Sequence, residues 1–370
     1  MKQLHASILL LLCLATVLFS QTTWTKRTTG TSNENLNITF GNNLFVVQDN
    51  GYLYSSPDAI TWTRRSTTSV DFSSVTFGNN LFLASVPYGK FQGSPDGITW
   101  TARNTPSSSG AFRGLTYGNN LYVAVGSVMT SLDLIFIGAL YTSPDAITWT
   151  NRLSDTVPDL LAVTYGNGMY VVTGVNGTIL ISPNGITWTR RSAGTMWGIT
   201  YGNNQFVGVG GGGLVFTSPD GITWTTRTSG ITSRLWGVTY GSNRYVAVGD
   251  SGKILTSPDG VAWTTRTSGT TNVLMGVTYG NNQFVVAGNL GTILTSPVSS
   301  PISFTAPKQN TSITGKTMQI YTLQGKLISQ KKIESESYMD SKSVLYNNLS
   351  KGMYIVRIPT SNISRRILVE

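Results

Sequence analysis

The 370-residue chain holds one cysteine and one histidine, and both, Cys13 and His5, fall within its first twenty residues. Those residues, 1–20, read as a secretory signal peptide. Lys2 gives the positive start, Ile8 to Phe19 is an almost unbroken apolar run, and Ser20 is a small residue at a cleavage point. Removal of this leader leaves a mature chain with neither thiol nor imidazole. That excludes disulfides, cysteine nucleophiles, His–Cys zinc sites and a Ser–His–Asp triad. It also removes the side chain most often used as a general base near neutral pH, so no metal, no cofactor and no catalytic residue are expected. The run LLLL before Cys13 lacks the small residue of a lipid-modified leader. Later apolar runs all fall short of the roughly 18 residues a membrane helix needs, so no integral membrane segment is expected in the mature chain.

Charge is sparse, at 11% of residues, yet the net charge is +10. Residues 21–297 carry 15 Lys/Arg against 12 Asp/Glu, whereas residues 298–370 carry 10 against 4. The body is therefore nearly balanced and the basicity sits in the tail. Without a basic stripe on the body of an exported chain, nucleic acid is not an expected partner.

What is abundant is repetition. SPDGITWTTR (Ser218 to Arg227) has near-copies along the chain, such as SPDAITWTRR, SPNGITWTRR and SPDGVAWTTR. The serines that open these segments, Ser56, Ser94, Ser143, Ser182, Ser218, Ser257 and Ser296, are spaced by 38, 49, 39, 36, 39 and 39 residues. A period near 40 with strand-like content predicts an all-β, seven-bladed β-propeller of four-stranded blades over residues 21–297. One unit reads as strands A to D: LWGVTYG, RYVAVG, KILTS and VAWTTR. Seven tryptophans mark strand D: Trp24, Trp62, Trp100, Trp149, Trp188, Trp224 and Trp263. The last A–B–C set ends at Ser296 with no WT-x-R strand after it, while TTWTKR (Thr22 to Arg27) stands alone at the other end. The N-terminal strand is therefore expected to complete the last blade. The Ser-Pro-Asp turns read as hairpin geometry, the tryptophans as packing between blades, and the arginines ending strand D as guards of exposed edges.

The element SPDGITW resembles the Asp-box of sialidase-type and BNR repeats, one residue shorter. The longer unit GDSGKILTSPDGVAWTTRTSG is similar to repeats of the Ycf48-like group and of many exported bacterial propellers. The resemblance covers residues 22–297 and implies the propeller; the roles found on this scaffold are many.

Variation between blades points to the working face. The A–B and C–D turns, GNN and SPDG, barely change. The B–C and D–A loops change throughout (QDNG, GGGG, GDSG and GNLG among the former), so individual chemistry is expected there. At the entrance of strand A the successive blades carry Leu36, Ser73, Arg113, Leu161, Trp197, Trp236 and Met275. Trp197 and Trp236 are candidate ligand-binding residues as a stacking platform at the channel mouth, with Arg113, Arg234 and Met275 beside them. The loop carboxylates Asp133, Asp155 and Asp159 complete the candidates. The third blade alone has a long B–C segment, Gly126 to Ala139, which reads either as a lid or as two lengthened strands.

After a linker over 298–315, alternating strands in TMQIYTLQGKLISQKK, NNLSKGMYIVRI and SRRILVE predict a small β-sandwich-like domain over 316–370. These segments resemble the C-terminal sorting domain of type IX secretion cargo. The resemblance implies handling by that machinery and a secreted or surface location in a diderm bacterium. The expected function is a non-catalytic propeller that binds a glycan or protein at the cell surface. The alternatives are a glycoside-active, sialidase- or lyase-like enzyme, for which the loop aspartates would have to supply two carboxylates, and a Ycf48-like assembly factor for an envelope complex.

Overall fold

The computed structural model describes residues 24–297, apart from 32–36, 50, 67–72, 87, 104–109 and 130–135, together with the strands 317–322, 327–332, 352–358 and 363–369 of the tail. Residues 1–20, expected to be a signal peptide, the expected linker over 298–315, Leu36 and Asp133 lie outside the described residues. Two compact units divide at Val298 and Ser299. In the first, seven antiparallel four-stranded sheets follow one another, each read from A to D. Blade 5 shows the pattern: strand A is Met196–Gly202, B is Gln205–Gly210, C is Leu214–Ser218 and D is Thr225–Thr228.

Blade 7 is built from both ends of the unit. Leu274–Gly280, Gln283–Gly288 and Thr292–Pro297 supply A, B and C, and Thr25–Thr28 pairs antiparallel with the third, Thr25 opposite Thr295 and Thr28 opposite Thr292. The expected closure is thus present. A second closure lies on the inner strands. The glycine ending each strand A is the seat for the strand-A aromatic of the next blade: a Cβ on Gly202 would stand 2.2 Å from Tyr240 Cγ, and one on Gly280 would stand 2.1 Å from Phe40 Cγ. The last of these joins blade 7 to blade 1.

The core is seven clusters, each shared by two adjacent blades and each holding one strand-D tryptophan. Trp24 packs with Val246, Val248 and Ile254 of blade 6 and Leu274 and Phe284 of blade 7. Trp224 lies against the blade 4/5 cluster, and Trp263 against that of blades 5 and 6. Strand-B tyrosines stitch the same interfaces, as where the Tyr122 hydroxyl donates to the Gly78 carbonyl of the preceding blade at 2.6 Å.

The turns on one face explain the repeated motif. In the A–B loops both central residues have positive φ, as at Asn42 (46°) and Asn43 (56°), the geometry of a type I′ hairpin. In the C–D turns Ser218 Oγ donates to Asp220 Oδ1 (3.0 Å), which also accepts from the backbone N–H groups of Ile222 and Thr223 (2.8 Å each). Asn184 makes the same bonds in blade 4. Donation by these N–H groups holds Asp58, Asp96, Asp145 and Asp220 below the usual carboxylate range. The five aspartates of the C–D turns are therefore hairpin parts, and among the described residues none belongs to a ligand cage.

Blade 3 resolves the open choice at its long hairpin toward lengthened strands, Leu121–Met129 and Phe136–Ser143. In the second unit the described strands form one antiparallel sheet in the order Leu327–Lys332, Thr317–Thr322, Gly352–Ile358, Ile363–Val369.

Candidate functional site at the channel mouth

Among the described residues, five strand-A entrances carry a β-bulge. The pairing of strand A with B slips between Phe112 and Gly114, Leu160 and Ala162, Met196 and Gly198, Leu235 and Gly237, and Leu274 and Gly276. The residues left out of register are Arg113, Leu161, Trp197, Trp236 and Met275, the same variable series seen in the sequence. A bulge re-aims the side chain it carries, so these five are turned away from the regular alternation of the strand. The glycine that follows brings neighbouring backbones together. A Cβ on Gly198 would lie 2.6 Å from the Trp236 carbonyl oxygen, and one on Gly237 would lie 2.6 Å from that of Met275. The bulges of blades 5, 6 and 7 are therefore locked side by side.

Trp197 and Trp236 meet there, with ring centroids 5.0 Å apart and planes inclined by 58°. Both are half-buried. Arg234, two residues before the blade 6 bulge, lays its guanidinium over both rings, 4.7 Å from the Trp236 centroid and 5.2 Å from that of Trp197. Trp236 Nε1 donates to Asp250 Oδ1 at 2.7 Å. Asp250 opens the B–C turn of blade 6, and its own N–H donates to the Arg234 carbonyl at 3.0 Å. Asp250 was not among the sequence candidates. Its signal was the contrast of GDSG in blade 6 with GGGG and GNLG on either side.

The other candidates separate from this group. Arg113 Nη1 is held by Asp159 Oδ2 at 2.6 Å, the sole ion pair among the described residues, and also donates to Ser127 Oγ (3.3 Å). Arg113 and Asp159 thus pair with each other across blades 3 and 4 instead of serving the tryptophans. Asp155 is exposed in the loop between those blades, and Met275 is half-buried on the blade 7 bulge. Asp49 ends strand B of blade 1 fully buried, with Thr29 and Thr31 donating to it. Its place is in the fold. The strand-D arginines of four blades donate Nε–H to strand-C hydroxyls, as Arg65 does to Ser55 (2.7 Å) and Arg266 to Thr256 (2.9 Å).

The group is a cation fixed on an aromatic bed. Stacking on the indoles restrains Arg234 and leaves its N–H edge without a carboxylate partner among the described residues. It also covers the indole faces, so the platform expected from the sequence presents a guanidinium over the rings. Among the described residues no three acidic, cysteine or histidine side chains gather as a metal cage, and none of the described helices is long and apolar enough to cross a membrane.

Residues 296–370 match the family model of the secretion system C-terminal sorting domain. This assigns the chain to type IX secretion, and so to the surface or the medium. No curated protein matches the sequence. Among solved structures the chain is similar to YCF48 from Cyanidioschyzon merolae, with 18% identity and a TM-score of 0.59 over 74% of this chain and 98% of that one. It is similar also to YCF48 bound to D1 peptide, with 17% identity and a TM-score of 0.58 over 74% and 96%. A catalytically inactive virginiamycin B lyase from Staphylococcus aureus, solved with quinupristin, shares 13% identity with a TM-score of 0.64 over 74% and 98%. At these identities the likeness is one of fold.

Proposed function

We propose that the protein is a non-catalytic, exported propeller that binds a segment of a partner protein at the channel mouth of its variable face. The observation that carries this reading is the Trp197–Trp236–Arg234 group, set on adjacent bulges of blades 5 and 6. Tryptophan and arginine are the residue types that most often dominate binding energy at protein interfaces. Two features favour a peptide over a sugar. Arg234 occupies the indole faces on which a sugar ring would stack, and Met275 extends the apolar rim into blade 7. A structural neighbour of the same fold has been solved with a peptide bound, which supports the reading by analogy.

The test is selection of a displayed random-peptide library on the folded propeller, run beside a glycan array. Peptides enriched on the wild-type protein should lose affinity by about 30-fold on Trp236→Ala, a loss of about 2 kcal/mol. Enrichment that is equal on Trp236→Ala and Arg234→Ala would move the site elsewhere. Binding confined to the glycan array would replace the partner class.

A further inference from the structure

A cleft of about 700 Å³ opens between blades 6 and 7, away from the tryptophan pair in chemistry and composition. Three cations line it: Lys26 from the N-terminal closing strand, Lys253 from the B–C loop of blade 6, and Arg266 from strand D of blade 6. No carboxylate lines it. The nearest acid in sequence, Asp250, is engaged by the Trp236 indole N–H. None of the three cations has an ion-pair partner among the described residues. The Arg266 Nε–H is used on Thr256, which fixes the guanidinium and leaves its terminal nitrogens open. Arg244 stands close enough that Arg266 contributes to lowering its pKa, behind the larger effect of burial. Positive charge is thus concentrated at this seam.

The rest of the lining is rigid and rich in hydroxyls. The loop from strand D into blade 7 is pinned from within. Thr270 N–H donates to Ser268 Oγ (3.3 Å), Asn272 N–H to Thr270 Oγ1 (3.1 Å), and Asn272 Nδ2 to Thr292 Oγ1 (2.8 Å). The hydroxyls of Ser251, Thr265, Thr267 and Thr271 make no hydrogen bond among the described residues. They remain available as donors.

The strand-C and strand-D positions that carry Lys253 and Lys26 recur at every pair of adjacent blades, which supplies an internal control. The positions equivalent to Lys253 and Lys26 are Tyr52 and Ala102 between blades 1 and 2, Lys90 and Asn151 between 2 and 3, and Thr178 and Thr226 between 4 and 5. The remaining seams pair Ala139 with Arg190, Leu214 with Thr265, and Thr292 with Arg64. Only the seam joined by the N-terminal strand sets lysine against lysine. Like charges held together repel unless an anion is shared, and free hydroxyls beside them complete the donor set for a tetrahedral oxyanion.

We infer that the blade 6/7 cleft is a binding site for the sulfate or phosphate ester of an anionic polysaccharide, held by Lys26, Lys253 and Arg266. The volume exceeds that of a bare ion and leaves room for sugar to meet the free hydroxyls. Its lining shares no residue with the Trp197–Trp236–Arg234 group, although the Asp250–Gly252 turn borders both.

The test uses the mature chain and size-defined dextran sulfate, with neutral dextran and inorganic phosphate as further probes, at constant ionic strength. Lys26→Gln/Lys253→Gln should weaken dextran sulfate binding by about tenfold or more. Lys90→Gln/Arg190→Gln removes the same charge elsewhere and should change it less than about twofold. Lys26→Arg/Lys253→Arg should retain binding, which guards against a misfolded first variant. Neutral dextran should not bind. Phosphate that competes would assign recognition to the ester group, and phosphate that fails to compete would require the sugar as well. Equal losses in the two glutamine variants, or no binding of dextran sulfate to the wild-type protein, would overturn the assignment.

Discussion

On one face of the propeller, the turns from Ser56–Asp58 in blade 1 to Ser257–Asp259 in blade 6 are closed by the same set of hydrogen bonds. On the other, the bulges of blades 3 to 7 offer an arginine, a leucine, two tryptophans and a methionine in turn. Both faces are ends of the same strands, so the difference is not imposed by the architecture. What repeats closes hairpins and seats one blade on the next. What varies has no such duty, and Asp250 and Arg234 are spent on arranging two tryptophans. The repeated face does expose one β-branched residue per turn, such as Ile60 and Ile222. These stand a blade apart, as single exposed apolar residues commonly do.

The comparison is broken most severely by removing what both faces share. Deleting residues 22–27 takes strand D from blade 7 and Trp24 from its cluster. The loss should exceed the roughly 3–5 kcal/mol typical of a core tryptophan truncation, and a thermal melt should show it. An unchanged melting temperature would mean that the ring is held by its inner strands alone. Next comes Gly280→Ala, whose Cβ would enter the Phe40 ring. Overpacking there should cost about 1–3 kcal/mol in chemical denaturation, although the channel mouth is untouched.

A smaller effect is expected from the turn carboxylates. Asp58, Asp96, Asp145 and Asp220 have lower pKa values folded than unfolded because backbone N–H groups donate to them. The folded state then binds fewer protons than the unfolded one. Their stabilisation is complete above the ordinary carboxylate range and drains away as pH falls through the lowered values. Melting temperature should decline below about pH 4. Asp220→Asn should be nearly neutral at pH 7, since Asn184 already makes these bonds, and should shallow the acid limb. A limb of unchanged depth would remove the turns from the account of acid stability.

Blade count, the closing strand and the interface tryptophans could be read from the sequence because repetition exposes them: seven WT-x-R segments against seven A–B–C sets leave one arrangement that uses every strand. The variable face was legible as a list of residues and not as a site. Which entrance residues meet depends on the bulge register and on the glycines that follow, neither of which alternation of apolar residues encodes. Arg234 covering the indoles, and Arg113 turning to Asp159, are choices of rotamer and partner. The lysine pair of the seam comes from opposite ends of the propeller, so it appears only once Thr25–Thr28 is seated on blade 7.

The division of labour can be measured within two blades. Blades 5 and 6 each carry one tryptophan on strand D, Trp224 and Trp263, and one on the bulge, Trp197 and Trp236. The most direct measurement is the unfolding free energy of the four single alanine variants. Trp224→Ala and Trp263→Ala should each lose about 3 kcal/mol, because they pack against the interface clusters. Trp197→Ala and Trp236→Ala should each lose less than about 1 kcal/mol, in keeping with side chains that serve the surface. Losses of equal size in all four would place the bulge tryptophans in the scaffold and contradict the account.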